Sequence, residues 1–409
     1  MQRRVLILAL AIAIAPGCGT VSKVKGWFGT SKGKANEPAE LTVITPTVSV
    51  NRLWSVDLGD GEGKRWLRLR PTIDGNSVYA VDDQGVLHAL DAATGRTQWE
   101  ARAVEVKAER NWRRAWLRDT AEAGLTSAPG VGSGLVVVGG RNGEVVAFDA
   151  STGAQKWSVR VTSEVLSAPL VTGEHVVVRA NDGRTFGLAL ADGTRKWVFD
   201  RGLPSLTLRG NAAPVGDRGL VFLGYDDGTV VALRESDGLR AWEQRVAEPE
   251  GRTELDRVAD IDGELQVGPD EIFAASFHNQ LMAMSTENGR PLWNRDIGSS
   301  GGVALSGDKV LVSDNGGNVW ALERASGAAV WKQDALLRRQ LTTPVVHGDY
   351  AVVGDVEGYL HWLRLDSGEI AGRSRIEDAP LRGTPQVSNA GVLYAVSTEG
   401  ELAAYQLGQ

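Results

Sequence analysis

One short unit recurs along this 409-residue chain and restricts what it can become. Its clearest copy is Gly85-Val-Leu-His-Ala-Leu-Asp-Ala-Ala-Thr-Gly-Arg-Thr-Gln-Trp99. Apolar residues run into an Asp/Ser/Thr-Gly turn, and a Trp stands four residues after the Gly. Further copies end at Trp157, Trp197, Trp242, Trp293 and Trp331, after Gly153, Gly193, Gly238, Gly289 and Gly327. A seventh copy, Asp366-Ser-Gly368, has Gly372 in place of the Trp. From Trp54 through these positions to Gly372 the spacings are 45, 58, 40, 45, 51, 38 and 41 residues. That period suits a four-stranded propeller blade and is too long for leucine-rich repeats.

The remainder of each unit fits a blade. Pro71, Pro129, Pro169, Pro214, Pro344 and Pro385 open units. An apolar run follows, such as Leu135-Val-Val-Val or His175-Val-Val-Val, and then a polar Gly turn such as Asn142-Gly or Asp226-Asp-Gly. These are hairpin signals. The recurrent indole, burying about 150–250 Å², fills the wedge between radially arranged blades. At the C-terminus the unit that starts at Pro385 ends at Leu407 with three strands and no fourth, whereas Leu53-Trp-Ser-Val-Asp-Leu58 is a fourth strand without a blade. Joining the two removes an exposed edge. The prediction is all-β: one eight-bladed β-propeller over residues 46–409, of four-stranded antiparallel blades, closed by an N-terminal strand. The longest connections, residues 102–122 and 247–262, should project from the same face.

The N-terminus reads as an export signal over residues 1–17. Arg3 and Arg4 precede an apolar run from Val5 to Ala15, shorter than the ~20 residues a membrane-spanning helix needs. The run ends Ala15-Pro-Gly-Cys18, which resembles the bacterial lipobox although Ala15 stands where Leu is usual. Cys18 is the chain's single cysteine, so no internal disulfide can form. The expectation is a lipid on Cys18 and a flexible tether over residues 18–45; plain secretion with cleavage near Gly17 is the alternative. By resemblance to Gram-negative lipoproteins, Gly19 after the Cys implies the outer membrane, facing the periplasm.

Chemistry-bearing patterns are sparse. The net charge of −7 argues against nucleic acid as a partner of the body. The five histidines lie in different units without ligand spacing. Asp260-Ile-Asp262 could be half of a calcium site, but no Gly-punctuated ligand loop surrounds it. There is no Gly-x-Ser-x-Gly elbow and no Walker loop, so no catalytic residue, cofactor or metal is assigned. Trp112-Arg-Arg-Ala-Trp116 places two indoles on one helical face, most simply packed on its own propeller, otherwise a partner or membrane contact. Two consecutive linkers stand out: Leu203-Pro-Ser-Leu206-Thr-Leu208-Arg209-Gly and Thr253-Glu-Leu-Asp-Arg-Val-Ala-Asp260-Ile-Asp262. As neighbours on one face they join an apolar pair and an Arg to a carboxylate pair. Together these form a small docking patch or a self-satisfying salt bridge between loops.

The repeat, at its fullest Ala-Leu-Asp-Ala-x-Thr-Gly-x-x-x-Trp, resembles the eight-bladed quinoprotein-like propellers. With the lipoprotein start, the ring closure and the two linkers, the whole mature chain resembles the BamB family, lipoproteins of the outer-membrane β-barrel assembly machinery. The resemblance implies a non-catalytic scaffold that docks on periplasmic POTRA domains of BamA and assists folding and insertion of outer-membrane β-barrel proteins, with unfolded barrels as further clients. It implies that Leu206, Leu208, Arg209, Asp260 and Asp262 form the partner-binding surface. The competing enzyme reading, a pyrroloquinoline-quinone-dependent dehydrogenase, expects a longer chain, large decorated loops, calcium ligands and often an adjacent Cys pair. A sugar- or peptide-binding funnel is a third reading.

Overall fold

The computed structural model describes residues 37–63, 66–82, 84–102, 124–204, 206–207, 210–248 and 258–408. The predicted signal, Cys18, most of the 102–122 insertion, Leu208, Arg209 and residues 249–257 lie outside the described residues. The compact unit described below runs from Pro38 to the C-terminus.

Thirty-two strands and no helix occur among the described residues, from β1 (Val50–Asp57) to β32 (Glu401–Leu407). They form eight four-stranded antiparallel sheets. In chain order, blades 1 to 7 span residues 72–102, 130–160, 170–199, 215–245, 266–295, 303–333 and 345–375. Blade 8 takes three strands from residues 386–407, and β1 pairs with β32 from Val50↔Leu407 to Asp57↔Glu401. The ring therefore closes as the sequence predicts. Within each antiparallel blade the chain alternates direction, which gives the disc two different faces. Connections from one blade to the next lie on a linker face. The Asp/Ser/Thr-Gly turns before the outermost strands lie on a turn face.

The recurrent Trp acts as a latch between blades. In seven blades an outer-strand indole donates to a backbone carbonyl of the next blade: Trp54 to Ala92, Trp99 to Ala150, Trp157 to Leu190, Trp197 to Glu235, Trp242 to Thr286, Trp293 to Arg324 and Trp331 to Leu365, at 2.8–3.1 Å. The ring lies against the next blade's turn Gly. A Cβ at Gly289 would fall 2.5 Å from Trp242, and Gly289 also has a φ of 72°. Both the close approach and the left-handed backbone require glycine there. Each latch Trp stands opposite a small residue of the neighbouring strand, as in Ala89↔Trp99, Gly187↔Trp197 and Ala404↔Trp54.

Gly372 now has a physical reason. Blade 8 is assembled from the two ends of the chain, so no continuous turn joins its third and fourth strands. A Trp at 372 would have no turn to seat on. Blade 7 instead exchanges the pair: Trp362 occupies the small position and faces Gly372. Trp362 is fully buried and donates to His347 Nδ1 at 3.1 Å. The space over Gly372 is taken by Val48, whose Cγ1 lies 2.6 Å from where a Cβ would be.

The innermost strands line a central channel of about 470 Å³, with Val215, Gln266, Val303, Val345 and Gln386 among its walls. Arg70, leading into blade 1, reaches Glu264, leading into blade 5, at 3.1 Å. These blades are opposite in the ring, so the ion pair spans the mouth on the linker face.

Candidate functional site

The linker from blade 3 to blade 4 carries Leu203 and Leu206, each 44% exposed. Leu206 thus stands at the surface, as the sequence suggested. The base of this linker is anchored by Arg201. Its Nε donates to Asp227 Oδ2 at 3.0 Å and its Nη2 to Glu243 Oε1 at 2.9 Å, while the guanidinium lies 5.3 Å from the Tyr225 ring centroid. Such fixed support lowers the ordering cost that an exposed apolar loop would otherwise carry into a complex.

The next linker, entering blade 5, lies beside it: a Cβ at Gly210 would fall 2.8 Å from the Asp262 carboxyl. Its side chains, however, point inward. Ile261 is fully buried in the core with Trp242 and Leu265. The segment is held by Ile261 N–H to Tyr225 O at 3.2 Å and Phe277 N–H to Asp260 O at 2.9 Å. Asp260 and Asp262 are buried too, at 0% and 6% exposure. With Asp226, from a turn of blade 4, each offers an oxygen within 4.8 Å of the others. Asp260 and Asp262 are therefore not surface carboxylates open to a basic partner; they form a buried acidic floor against Gly210, at the far end of the linker that exposes the leucines.

Arg179 supplies positive charge to that floor. Its side chain is fully buried, with Nη2 2.5 Å from Asp226 Oδ1 and its guanidinium 4.8 Å from the Tyr225 ring centroid. Burial pushes the Asp262 carboxyl up to about 6, with Asp226 adding to the rise while Arg68 and Arg179 oppose it. Its Oδ1 has no hydrogen-bond partner among the described residues. A carboxyl raised from 3.8 costs the folded state stability above pH 6, and the cost fades as pH falls toward 4, because the folded form binds the proton more tightly. Asp262→Asn, whose amide can donate toward the floor, should therefore stabilise the protein at pH 8 by up to about 3 kcal/mol and change little at pH 4. Urea melts of both proteins at the two pH values check this.

Sequence reasoning did not find Arg179, Asp226 or Arg201. The available signal was an Arg closing the apolar run His175–Arg179, where a fully buried charge requires a partner. It also missed Trp66, which is 68% exposed at a φ of 55° with Arg382 stacked 4.0 Å from its ring centroid. Four of the five histidines are structural: His88 lies beside Asp82 and Glu100, His175 beside Glu235, and His347 and His361 are buried in blade 7, whereas His278 is exposed.

The family model for outer membrane protein assembly factor BamB matches residues 47–111 and 104–333. The chain belongs to the BamB family. The BamB of Xanthomonas campestris pv. campestris is 43% identical, covering 100% of this chain and 98% of that protein. That of Pseudomonas aeruginosa is 37% identical, covering 98% of each. The crystal structure of BamB from Moraxella catarrhalis superposes with a TM-score of 0.76 at 28% identity, covering 88% of this chain and 100% of that one. The quinohemoprotein alcohol dehydrogenase of Comamonas testosteroni has a TM-score of 0.67 at 13% identity, covering 87% of this chain and 76% of that chain. This likeness shows a common fold alone. The linker face, with its exposed leucines, is the candidate site.

Proposed function

We propose that this BamB-family chain is a non-catalytic scaffold that docks on periplasmic POTRA domains of BamA and assists folding and insertion of outer-membrane β-barrel proteins. In this reading it is held on the periplasmic face of the outer membrane by a lipid on Cys18. The observation that carries the reading is the Arg201-anchored linker exposing Leu203 and Leu206, with its Gly210 end against a buried acidic floor. Apolar anchors on a rigid support are the kind of residue that concentrates binding energy. Leu206, Leu208 and Arg209 make the contact; Asp260 and Asp262 act from beneath it by fixing the shape and charge of the linker.

The reading is tested by affinity capture of the full-length protein from detergent-solubilised envelopes, with identification of what co-purifies. BamA should be the principal partner, and its absence would contradict the proposal. The lipid is tested separately. Cys18→Ser should leave a folded protein in the soluble periplasmic fraction, whereas wild-type levels of membrane retention would refute the anchor.

A further inference from the structure

The residues before β1 do not leave the disc where the closing strand begins. Val50 lies at the turn-face end of β1, but the chain before it runs back along blade 7. Thr47 N–H and Val48 N–H both reach Ala371 O, at 2.8 and 3.3 Å, just past the turn of blade 7. Leu41 packs against the apolar cluster that contains Trp331, Leu336 and Leu363. Ala39 N–H reaches Leu337 O at 3.0 Å, and Leu337 belongs to the linker between blades 6 and 7. Residues 39–48 thus climb from the turn face to the linker face. At ~3.3 Å per residue a stretch of this length reaches about 30 Å, enough to cross a four-stranded blade along its strands.

Two arginines hold the strap by its carbonyls. Arg339 Nη1 donates to Ala39 O at 2.8 Å and Arg373 Nη1 to Thr42 O at 3.1 Å. Their other ends join one buried network. Arg339 Nε donates to Asp355 Oδ2 at 2.7 Å, His361 Nε2 lies 2.8 Å from the same oxygen, and Arg373 Nε donates to His361 Nδ1 at 3.1 Å. Because Nδ1 accepts from an arginine, the His361 proton must sit on Nε2, where it is donated to Asp355. The imidazole is neutral, and burial holds its pKa below the ordinary value. Asp355 and His361 are fully buried, and the second Asp355 oxygen accepts Glu357 N–H and Tyr359 N–H, each at 2.9 Å. The arginines are therefore fixed from behind, and their free ends fit main-chain oxygens of residues remote in sequence.

We propose that residues 38–48 are a strap whose clamp, Arg339 and Arg373 on the Asp355–His361 pair, fixes the N-terminal exit of the propeller on the linker face at the rim of blades 6 and 7. That rim is three of the eight blades round the ring from the Leu203–Leu206 linker, which follows blade 3. An anchor on the N-terminal side of the strap and a partner on the leucines are then presented on the same face, three blades apart. Without the strap, the chain would emerge from the turn face. The consequence for orientation rests on the anchored, POTRA-docking reading; the clamp itself does not.

The test uses purified full-length protein carrying Cys18→Ser, without BamA or membrane, so its failure is separable from failure of the capture experiment. Ala39→Cys paired with Leu337→Cys places two thiols on hydrogen-bonded neighbours and should oxidise to one intramolecular disulfide, as such proximity allows. Ala39→Cys paired with Asp366→Cys, on the turn face, should not. Adding Arg373→Ala, or independently Leu41→Asp on the strap side, should slow the 39–337 cross-link roughly tenfold or more while β1 keeps its amide-exchange protection. Equal cross-linking to both faces, none to 337, or a rate that neither variant changes would overturn the proposal.

Discussion

A chain that starts at Gly59 should aggregate on warming instead of unfolding cooperatively. Truncation removes β1 and with it the whole pairing from Val50↔Leu407 to Asp57↔Glu401, so β32 becomes a bare edge ready to pair with another molecule. It also removes Trp54, whose indole donates across the seam between blades 8 and 1 to Ala92 O at 3.1 Å and packs 5.8 Å from the ring centroid of Tyr394 in its own blade. The apolar cluster at that seam, with Val78, Leu90, Tyr394 and Leu402, would open to solvent. Light scattering during a thermal ramp, beside the full-length protein, measures the outcome. A cooperative melt at the full-length temperature would mean that the ring does not depend on its closing strand.

The second large effect is expected at a latch. Trp242 is 8% exposed, donates to Thr286 O at 2.9 Å, lies against Gly289 and packs 5.7 Å from the Phe222 ring centroid. Trp242→Ala removes the ring and leaves a cavity between blades 4 and 5, at a cost of about 3–5 kcal/mol. Total stability of a folded domain is only about 5–15 kcal/mol, so the urea midpoint should fall steeply. Trp66→Ala is the contrast. That ring is 68% exposed, and its loss should move stability by about 0.5 kcal/mol or little more. Equal costs for the two substitutions would show that latching is not what the repeated Trp does.

The propeller was legible because its signal is periodic and strongly constrained. A turn that needs a left-handed Gly and an indole four residues later cannot drift without losing the seam. Even the irregular seventh repeat carried its explanation in sequence. Trp362 stands where the other third strands bear Ala or Gly, and Gly372 stands where the others bear Trp. The two exchange places where the chain ends meet.

The linker face was legible only in part. Leu206 is exposed, and the consecutive linkers are neighbours as their order in the chain requires, with Gly210 against Asp262. What the linker sequence could not show was that Asp260 and Asp262 lie buried near Asp226 and Arg179, since that depends on residues 34 to 83 positions away in sequence. Residues 38–45 read as tether in the sequence for the same reason: the segment forms no strand, and its order comes from Arg339 and Arg373, about three hundred residues later.

The central claim, docking through the linker face, is tested most directly by measuring affinity and melting temperature together for four proteins against the purified POTRA region of BamA. These are the wild type, Leu206→Ala, Arg209→Ala and Lys309→Ala, the last on the turn face. Loss of one anchor of ~2 kcal/mol corresponds to roughly 30-fold in affinity. The account predicts that weakening for Leu206→Ala and Arg209→Ala at nearly unchanged melting temperature, with Lys309→Ala binding as wild type. Unchanged affinity in both linker variants, with a lowered melting temperature for Arg209→Ala, would mean that the linkers serve the propeller's own stability and that the partner binds elsewhere.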